Sequence, residues 1–218
     1  MLRYIYGDSL HFFPRLRDSM FRDRADQFKR RLGWAVNVDA SGEERDEYDE
    51  INPLYVIWQK PDGTHGGSMR FLPTTGDTMV NDHFSHLTDG VRIESPLIWE
   101  CTRFCLAPSA DRAVTAALTL GAGEVMAEFN LEHFVGVFDP RMERIYRLMG
   151  LSPDVIGRAG EGRDAIGVGL WEMREDAFAP TLAKVGVSRE TSKGWLRADF
   201  DFSPTLEAAP YFDDRAIA

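Results

Sequence analysis

Residues 53–72 read PLYVIWQKPDGTHGGSMRFL. The first half of this stretch is continuously apolar and rich in β-branched and aromatic residues, which is typical of a buried strand. Asp62-Gly63 supplies a turn, and a second strand is predicted over 68–72. The stretch therefore predicts a β-hairpin with Arg70 inside a strand that otherwise reads as buried. A charged side chain in such a place is costly unless it is paired or used by a ligand.

The elements before the hairpin are a strand, a helix and a loop. A short strand is predicted over 2–6. Apolar residues with helical spacing predict a largely helical segment over 14–32, with a break near Asp18-Ser19 and a stop at Gly33. Residues 36–52 are polar and acidic, so this segment is predicted to be a loop.

The elements after the hairpin alternate between strands and helices. A long polar segment over 74–95 precedes them. The predicted elements are a strand over 97–106, a helix capped by Ser109 and running to about 132, a strand over 134–138, a helix begun by Asp139-Pro140 and ending before Gly150, a loop containing Gly157, Gly160 and Gly162, a strand over 165–172 and a helix over 176–185. This order predicts an α/β fold with a mixed sheet.

Length and composition indicate a globular protein. The 218 residues are 44% hydrophobic, enough for one domain, predicted over 1–187, followed by a tail over 188–218. A net charge of -10 argues against nucleic acid and anionic membranes as main partners, because both select basic surfaces, although it allows local basic patches. No apolar run approaches the roughly 20 residues of a membrane span, and the N-terminus has no signal pattern, so a cytoplasmic protein is expected.

The candidate functional residues are charges placed among apolar residues. Arg24 lies on the apolar side of its predicted helix and needs carboxylate partners, for which Asp46 and Asp49 are candidates. These residues could form a substrate site, a structural ion-pair network that orders the 36–52 loop, or both. The other acidic residues of the loop are expected to be solvated: Glu43, Glu44, Glu47 and Glu50.

Glu100 and Arg103 are three residues apart in a predicted strand. An odd separation places two side chains on opposite faces of a flat strand. A common site would therefore need a β-bulge between them, which would also free a backbone N–H. Glu100 is a candidate general base, and the alternative is a structural pair with Arg70 or Arg103.

The combined spacing resembles the acyl-homoserine-lactone (autoinducer) synthase family over about the first 105 residues. The matching positions are Arg24-x3-Phe28-x5-Trp34, Asp46-x2-Asp49, Arg70, Phe84, and Glu100-x2-Arg103 in the context WECTRF. The resemblance implies an N-acetyltransferase-like (GNAT-type) fold, an α/β three-layer α-β-α arrangement with a mixed, mostly antiparallel sheet whose fourth and fifth strands splay apart. Residues 1–187 would then be the acyltransferase catalytic domain.

The resemblance also implies the reaction and the site. An acyl group carried by acyl carrier protein would be joined to the amine of S-adenosylmethionine, and lactone closure would release 5′-methylthioadenosine. The residues implied to be catalytic are Arg24, Asp46, Asp49, Arg70, Glu100 and Arg103. Those implied to bind substrate are Phe28, Trp34, Phe84, Thr102 and Gly136. An indole face attracts a cation such as a sulfonium, which suits Trp34. Gly136 lies where some relatives that favour 3-oxo chains have a hydroxyl residue, so no 3-oxo preference is expected.

The absence of a glycine-rich pyrophosphate loop bears on which acyl donor the protein uses. Acetyl-CoA enzymes of this fold have a glycine-rich pyrophosphate loop before the long helix, whereas residues 107–114 read APSADRAV. Acyl carrier protein is therefore the expected donor. Arg141, Arg144 and Arg147 form a basic stripe that is either a solvated face or a docking surface for an acidic carrier. Met142, Ile145, Tyr146 and Met149 are expected on the inward side of that helix.

Other readings stay open. A generic acyl-CoA-dependent N-acyltransferase would use coenzyme A and another amine, and a non-catalytic module could bind an acyl or adenosyl ligand. No cofactor and no metal site are expected, since His83 and His86 lack further ligands, and no Ser-His-Asp arrangement stands out. Cys101 and Cys105 are expected to lie too far apart for a disulfide. The family resemblance implies a bacterial protein.

Overall fold

A computed structural model describes residues 1–173 and 177–201. Its centre is a seven-stranded sheet in the order β1-β2-β3-β4-β5-β7-β6. The strands are β1 (Leu2–Tyr6), β2 (Leu54–Gln59), β3 (His65–Pro73), β4 (Ile98–Leu106), β5 (His133–Phe138), β6 (Asp154–Ala159) and β7 (Ile166–Trp171). All neighbours pair antiparallel except β4 and β5.

Helices cover both faces of the sheet. They are α1 (Pro14–Arg24), α2 (Met79–Asp82), α3 (Arg112–Glu128), α4 (Pro140–Met149), α5 (Phe178–Val185) and α6 (Arg189–Phe200). On one face, α1 packs over the strands around Tyr55 and Ile57. On the other, α3 lies over β1, β2 and β3, with α5 and α6 beside it. The predicted three-layer α-β-α architecture and mixed sheet are confirmed.

The helix predicted over 14–32 changes character within its length. It is continuous through Asp18-Ser19, so the predicted break is wrong, but after α1 it continues as a π-helix over Ala25–Arg31. A π-helix is wider than an α-helix and is frequent at functional sites. This segment directs Gln27 and Phe28 toward the sheet.

The sheet opens between β4 and β5. The two strands pair only from Ile98 with His133 to Glu100 with Val135. Beyond Glu100, β5 continues along β7 while β4 continues along β3. The predicted splay of the fourth and fifth strands is therefore present.

Two further elements differ from the sequence prediction. The glycine-rich segment read as a loop contains strand β6, which pairs with β7. Helix α3 is capped by the Asp111 side chain and not by Ser109, and it ends at Glu128.

The predicted tail begins with an ordered helix. Residues 189–200 form α6, which packs on β1 and buries Leu196, while 202–218 lie outside the described residues. Within the described part of the chain, no helix is both long and apolar enough to cross a membrane.

Candidate functional site

Three arginines, one each from α1, β3 and β4, meet beside the acidic loop over 36–52. Arg24, near the end of α1, donates from Nε to Glu44 (2.5 Å) and from both Nη atoms to Asp49 (2.9 Å each). Its side chain is 1% exposed. The bidentate bond to Asp49 fixes the guanidinium plane, and this geometry gives arginine–carboxylate pairs their strength.

Arg70 of β3 lies at the centre of the cluster. It forms a bidentate pair with Asp46, a 2.8 Å bond to Asp49 and a 3.1 Å bond from Nε to the hydroxyl of Thr102. Thr102 stands directly opposite Arg70 in the β3–β4 register, so the two side chains share one face of the sheet. Asp49 also accepts a 2.5 Å hydrogen bond from the Tyr55 hydroxyl.

Arg103 joins the cluster through a β-bulge. The β3–β4 register shifts between the Ser68–Cys105 and Arg70–Thr102 pairs, and Arg103 has a left-handed φ of 52°. The bulge turns its side chain onto the face of Arg70, where it contacts Asp46 (2.6 Å) and Glu44 (3.2 Å). A bulge is thus present in β4, but it lies between Thr102 and Cys105 and includes Arg103, whereas it was predicted between Glu100 and Arg103.

The cluster of arginines and carboxylates is balanced in charge. Three guanidiniums face three carboxylates: Arg24, Arg70, Arg103, Glu44, Asp46 and Asp49. Burial raises the pKa of Asp49, but the positive charges of Arg24 and Arg70 outweigh burial and hold that pKa well below its usual range. Each guanidinium contacts two of the carboxylates, so removing any one of the six groups leaves the cluster with an uncompensated charge.

Glu44 is the member of this cluster that sequence reasoning missed. It was expected to be solvated with its acidic neighbours, but it is fully buried and bridges Arg24 and Arg103. Its backbone N–H bonds to Phe21, and an isolated bridge to Val38 anchors the loop on the other side. Glu43 is 8% exposed, so it is buried as well. An acidic run gives no sign of which carboxylate turns inward.

Glu100 lies apart from the arginine cluster. It is buried and accepts hydrogen bonds from the backbone N–H groups of Val80 (2.6 Å) and Met79 (3.1 Å) at the start of α2. Neither Arg70 nor Arg103 forms an ion pair with it, but the positive charges of both act on Glu100 and lower its pKa. Burial raises the pKa of Glu100 to about 7, despite the opposing effect of the two N–H groups.

Two of the predicted substrate-binding aromatic residues stack on each other. Phe28 is buried and Trp34 is 43% exposed, and their rings lie parallel with centroids 5.2 Å apart. The Arg103 guanidinium lies 5.6 Å from the Phe28 ring centre. Phe84, the third aromatic, packs elsewhere, in an apolar cluster that includes Val80 and Leu87. The exposed indole face is therefore the part of this group that is open to a ligand.

An acidic cavity of about 200 Å³ lies beside the loop. It is lined by Glu47, Tyr48, Ile51, Asp77, Asp82 and His83. The Tyr48 hydroxyl donates to Asp82 (3.0 Å), and His83 contacts Glu47 (2.9 Å). These bonds tie the loop to α2, so the cavity borders both the arginine cluster and the segment that Glu100 holds.

Gly136 of β5 faces the interior of the opened sheet. A Cβ added there would lie 3.0 Å from the Cys101 carbonyl and 3.3 Å from the Trp171 ring. The Trp171 indole N–H donates to Leu151 (2.9 Å), which fixes the ring. A larger residue at 136 would therefore meet the backbone of β4.

The basic stripe on α4 is exposed at Arg141, Arg144 and Arg147. Ile145 was expected on the inward side but is 40% exposed. Met142 and Tyr146 are half-buried, and the side chain of Met149 lies outside the described residues.

A Ser-His-Asp arrangement is present that sequence reasoning did not find. His65 contacts Asp23 (2.7 Å) through Nδ1 and Ser68 (3.0 Å) through Nε2. His65 is 0% and Ser68 2% exposed. A nucleophilic serine must face a substrate, so this buried group serves as a structural link between α1 and β3. Among the described residues, no group of three or more His, Cys, Asp or Glu side chains is suited to hold a metal ion.

Comparisons with known proteins bear on the identity of the chain. The profile of the autoinducer synthase family matches residues 12–179. The acyl-homoserine-lactone synthase of Rhizobium etli is 42% identical over 183 residues, which cover 81% of this chain and 86% of the relative. Among solved structures, the CoA-dependent acyl-homoserine lactone synthase MesI superposes with a TM-score of 0.75 at 23% identity, covering 86% of this chain and 96% of MesI.

A second CoA-dependent acyl-homoserine lactone synthase, BjaI, gives a TM-score of 0.76 at 20% identity, over 86% of this chain and 90% of BjaI. The two structural matches support the fold, and the profile extends over the arginine cluster and Glu100. The chain therefore belongs to the autoinducer synthase family and is an acyltransferase of the acyl-homoserine-lactone synthase type.

Proposed function

We propose that this enzyme transfers an acyl group from acyl carrier protein to the amine of S-adenosylmethionine and then closes the lactone ring, with release of 5′-methylthioadenosine. BjaI has been solved with S-adenosylmethionine and isopentyl-CoA, and also with methylthioadenosine, which supports the amine substrate and the by-product.

The proposal rests mainly on the position of Glu100, which is buried at the opening of the sheet, and on its raised pKa. The amine of S-adenosylmethionine must lose a proton before it attacks the thioester, and a base works best with a pKa near the operating pH. Glu100 is buried where the sheet opens, and its pKa is raised to about 7. In the proposed reaction, Glu100 accepts this proton directly or through one water. Its two backbone hydrogen bonds hold the carboxylate in place.

Two parts of the candidate site suit a cationic substrate. The stacked Phe28 and Trp34 rings offer an aromatic face to the sulfonium, an interaction worth about 0.5–2 kcal/mol. The acidic cavity is lined by Tyr48, Asp77 and Asp82. Its carboxylates can pair with the ammonium and can accept hydrogen bonds from the ribose hydroxyls. The arginine cluster beneath has its charges internally balanced, so its proposed role is to shape the loop that carries these groups.

Helix α3 supports acyl carrier protein over coenzyme A as the donor. The Asp111 carboxylate accepts hydrogen bonds from the N–H groups of Ala113 (2.9 Å) and Val114 (3.2 Å). Coenzyme A enzymes of this fold would bind pyrophosphate with these amides. Here a carboxylate already uses them, and its charge repels another anion. MesI and BjaI are CoA-dependent, so coenzyme A is the second candidate donor.

The carrier is proposed to dock on the exposed arginines of α4, because acyl carrier proteins are acidic. Charge pairs at such a surface act mainly on the rate of association and weaken with salt. In the acyl site, Gly136 supplies no hydroxyl, so we expect no preference for 3-oxo chains over unsubstituted chains of equal length.

The test is an assay of the purified chain with S-adenosylmethionine and one acyl group presented on either carrier. We expect acyl-homoserine lactone and methylthioadenosine in equal amounts by mass spectrometry, with a higher kcat/KM for the carrier-protein thioester. Replacing Arg141, Arg144 and Arg147 by alanine should raise KM for that donor alone. Acylation of another amine without methylthioadenosine would favour a generic N-acyltransferase, and absence of any turnover would favour a binding module.

A further inference from the structure

Helix α2 receives its N-terminal cap from another element of the fold. Thr78 precedes the helix with an extended backbone, and its carbonyl accepts from the N–H groups of Asn81 (3.1 Å) and Asp82 (3.0 Å). A threonine at this N-cap position normally uses its hydroxyl to accept the N–H of the second or third helical residue. Here Glu100 accepts the N–H of the second residue, Val80 (2.6 Å). A carboxylate from β4 therefore takes the place of the Thr78 hydroxyl.

The Thr78 hydroxyl is left without a partner. Its side chain has no exposure, and within the described part of the chain no group forms a hydrogen bond with this hydroxyl. The N-cap side chains of α3, α4 and α6 behave as expected, since each accepts N–H groups of its own helix; they are Asp111, Asp139 and Ser188. A buried hydroxyl without a partner costs free energy, so a state in which it is bonded is favoured whenever Val80 becomes available.

Protonation of Glu100 changes this competition. Hydrogen bonds to an ionised carboxylate are roughly twice as strong as those between neutral groups. A protonated Glu100 loses this advantage over a hydroxyl as the acceptor. The Thr78 hydroxyl then gains a partner by rotating about one bond, Cα–Cβ, without any change in the backbone. One of the two side chains can thus cap α2 in either protonation state.

We propose that the cap of α2 passes from Glu100 to Thr78 when Glu100 is protonated, so that Thr78 is a positioning residue for the base. The inference rests on the proposed function, in which the proton comes from the amine of the substrate. Helix α2 carries Asp82, which accepts a hydrogen bond from Tyr48 of the acidic loop (3.0 Å). The exchange keeps this helix and the loop in place while the carboxyl group of Glu100 is released from the backbone.

Several charged and titratable groups surround Glu100 and α2. Those that act on Glu100 or belong to this helix and its C-terminal cap are Arg70, Arg103, Tyr48, Cys101, Asp82 and His83. Burial raises the pKa of Cys101 to about 12 and raises the pKa of Tyr48 well above its usual range, so both stay neutral near pH 7. Histidine does change charge near neutral pH, so the variants to be compared all retain His83.

The first test measures stability at two pH values in the absence of substrate. Thr78→Val removes the hydroxyl and keeps a branched side chain of similar shape. At about pH 5.5, where Glu100 is protonated, the variant should melt about 2–4 °C below the wild type, because α2 loses its cap. At about pH 8.5 Glu100 caps the helix and the hydroxyl is unpaired, so the variant should be as stable as the wild type or more stable.

Thr74→Val is the matched control. The Thr74 hydroxyl is also buried, but it donates to the carbonyls of Ser95 (3.0 Å) and Ile98 (2.8 Å). Its loss should lower the melting temperature by a similar amount at both pH values. A Thr78→Val variant that is destabilised equally at both pH values, like this control, would overturn the exchange and assign Thr78 a fixed structural role. A variant with no loss of stability at the lower pH would overturn it as well.

The second test uses the pH dependence of the reaction. Because the exchange stabilises the protonated form of Glu100, Thr78→Val should lower the pKa on the acidic side of the kcat/KM profile by about 0.5–1, the equivalent of one net hydrogen bond. Thr78→Ser restores a hydroxyl and should restore both the wild-type profile and the wild-type melting behaviour. An unshifted profile in a Thr78→Val enzyme that forms lactone would contradict the exchange.

The two proposals fail separately, because the melts contain no substrate. A protein in which Thr78→Val lowers stability only at the lower pH, but which forms no lactone from S-adenosylmethionine, contradicts the proposed function and leaves the exchange standing. A protein that makes lactone while Thr78→Val has the same effect on stability at both pH values contradicts only the exchange.

Discussion

Glu44 shows how strongly one buried side chain can depend on its partners. It bridges Arg24 and Arg103, and its side chain has no exposure. We expect Glu44→Ala to lower the free energy of unfolding by about 3–5 kcal/mol, because it leaves two buried arginines without a shared partner. Asp49→Ala should have a similar effect, and both should lose lactone formation.

The control for these variants is Glu50→Ala, in the same loop but exposed. A surface substitution of this kind is expected to change stability by no more than about 0.5 kcal/mol. Chemical denaturation of the purified variants provides the measurement. Stability losses for Glu44→Ala as small as that of Glu50→Ala would mean that the arginine cluster does not hold the loop.

The raised pKa of Glu100 predicts that increasing pH raises the reaction rate and lowers the stability. A base must be ionised, so kcat/KM should rise with pH through about 7. The folded state holds this proton more tightly than the unfolded chain does. The contribution of Glu100 to stability is therefore fully present below about 4.5 and is lost as pH rises through about 7.

Glu100→Gln tests both effects. The variant should lose turnover and the pH dependence of stability near 7, while Glu128→Gln on an exposed part of α3 should keep both profiles. Turnover by Glu100→Gln at the wild-type rate would exclude Glu100 as the base. Thermal melts at several pH values measure the pH dependence of stability independently of activity.

The sequence predicted many of the site residues, and the reason is physical. Arg24, Arg70 and Glu100 stood out because charges within apolar strand or helix patterns require partners. Glu44 could not be found in this way, since residues 43–50 contain five other acidic residues and the loop has no periodicity.

At the scale of elements, the longer strands and helices were predictable and the exceptions have clear causes. Strand β6 contains Gly157 and has mostly exposed residues, so it shows neither alternation nor apolar runs. Its pairing comes from β7, and a Cβ at position 157 would lie 1.7 Å from the Leu87 carbonyl. The glycine that read as a loop signal is needed for close packing inside a strand.

The N-terminus of α3 carries a prediction about donor choice. Asp111→Asn keeps a good capping residue, so stability should change little, but it removes the negative charge. We expect kcat/KM for the acyl-CoA thioester to rise relative to that for the acyl carrier protein thioester. Competition between the two donors in one reaction measures this ratio directly. An unchanged ratio would mean that coenzyme A phosphates do not approach this helix end.

For the whole molecule, the two ends of the described chain meet. Arg3 of β1 forms an ion pair with Asp199 of α6 (2.7 Å), and the Tyr4 N–H donates to the same carboxylate (2.7 Å). On the inner side of α6, the Ser192 hydroxyl donates to buried Glu124 of α3 (2.5 Å). Helix α6 therefore closes over the edge strand that begins the sheet, even though the family profile ends at 179.

This closure predicts that the proposed catalytic domain over 1–187 depends on α6. A chain ending at 187 would expose the apolar face of β1 and leave Glu124 buried without its partner, whereas a chain ending at 201 keeps these contacts. We expect the shorter chain to melt at a clearly lower temperature than the longer one and to bind a hydrophobic dye. Asp199→Asn, which weakens the bonds to Arg3 and the Tyr4 N–H but keeps α6, should fall between them. Equal melting temperatures for the two truncated chains would show that the sheet and α3 hold β1 without α6, and that residues 1–187 are an independent domain.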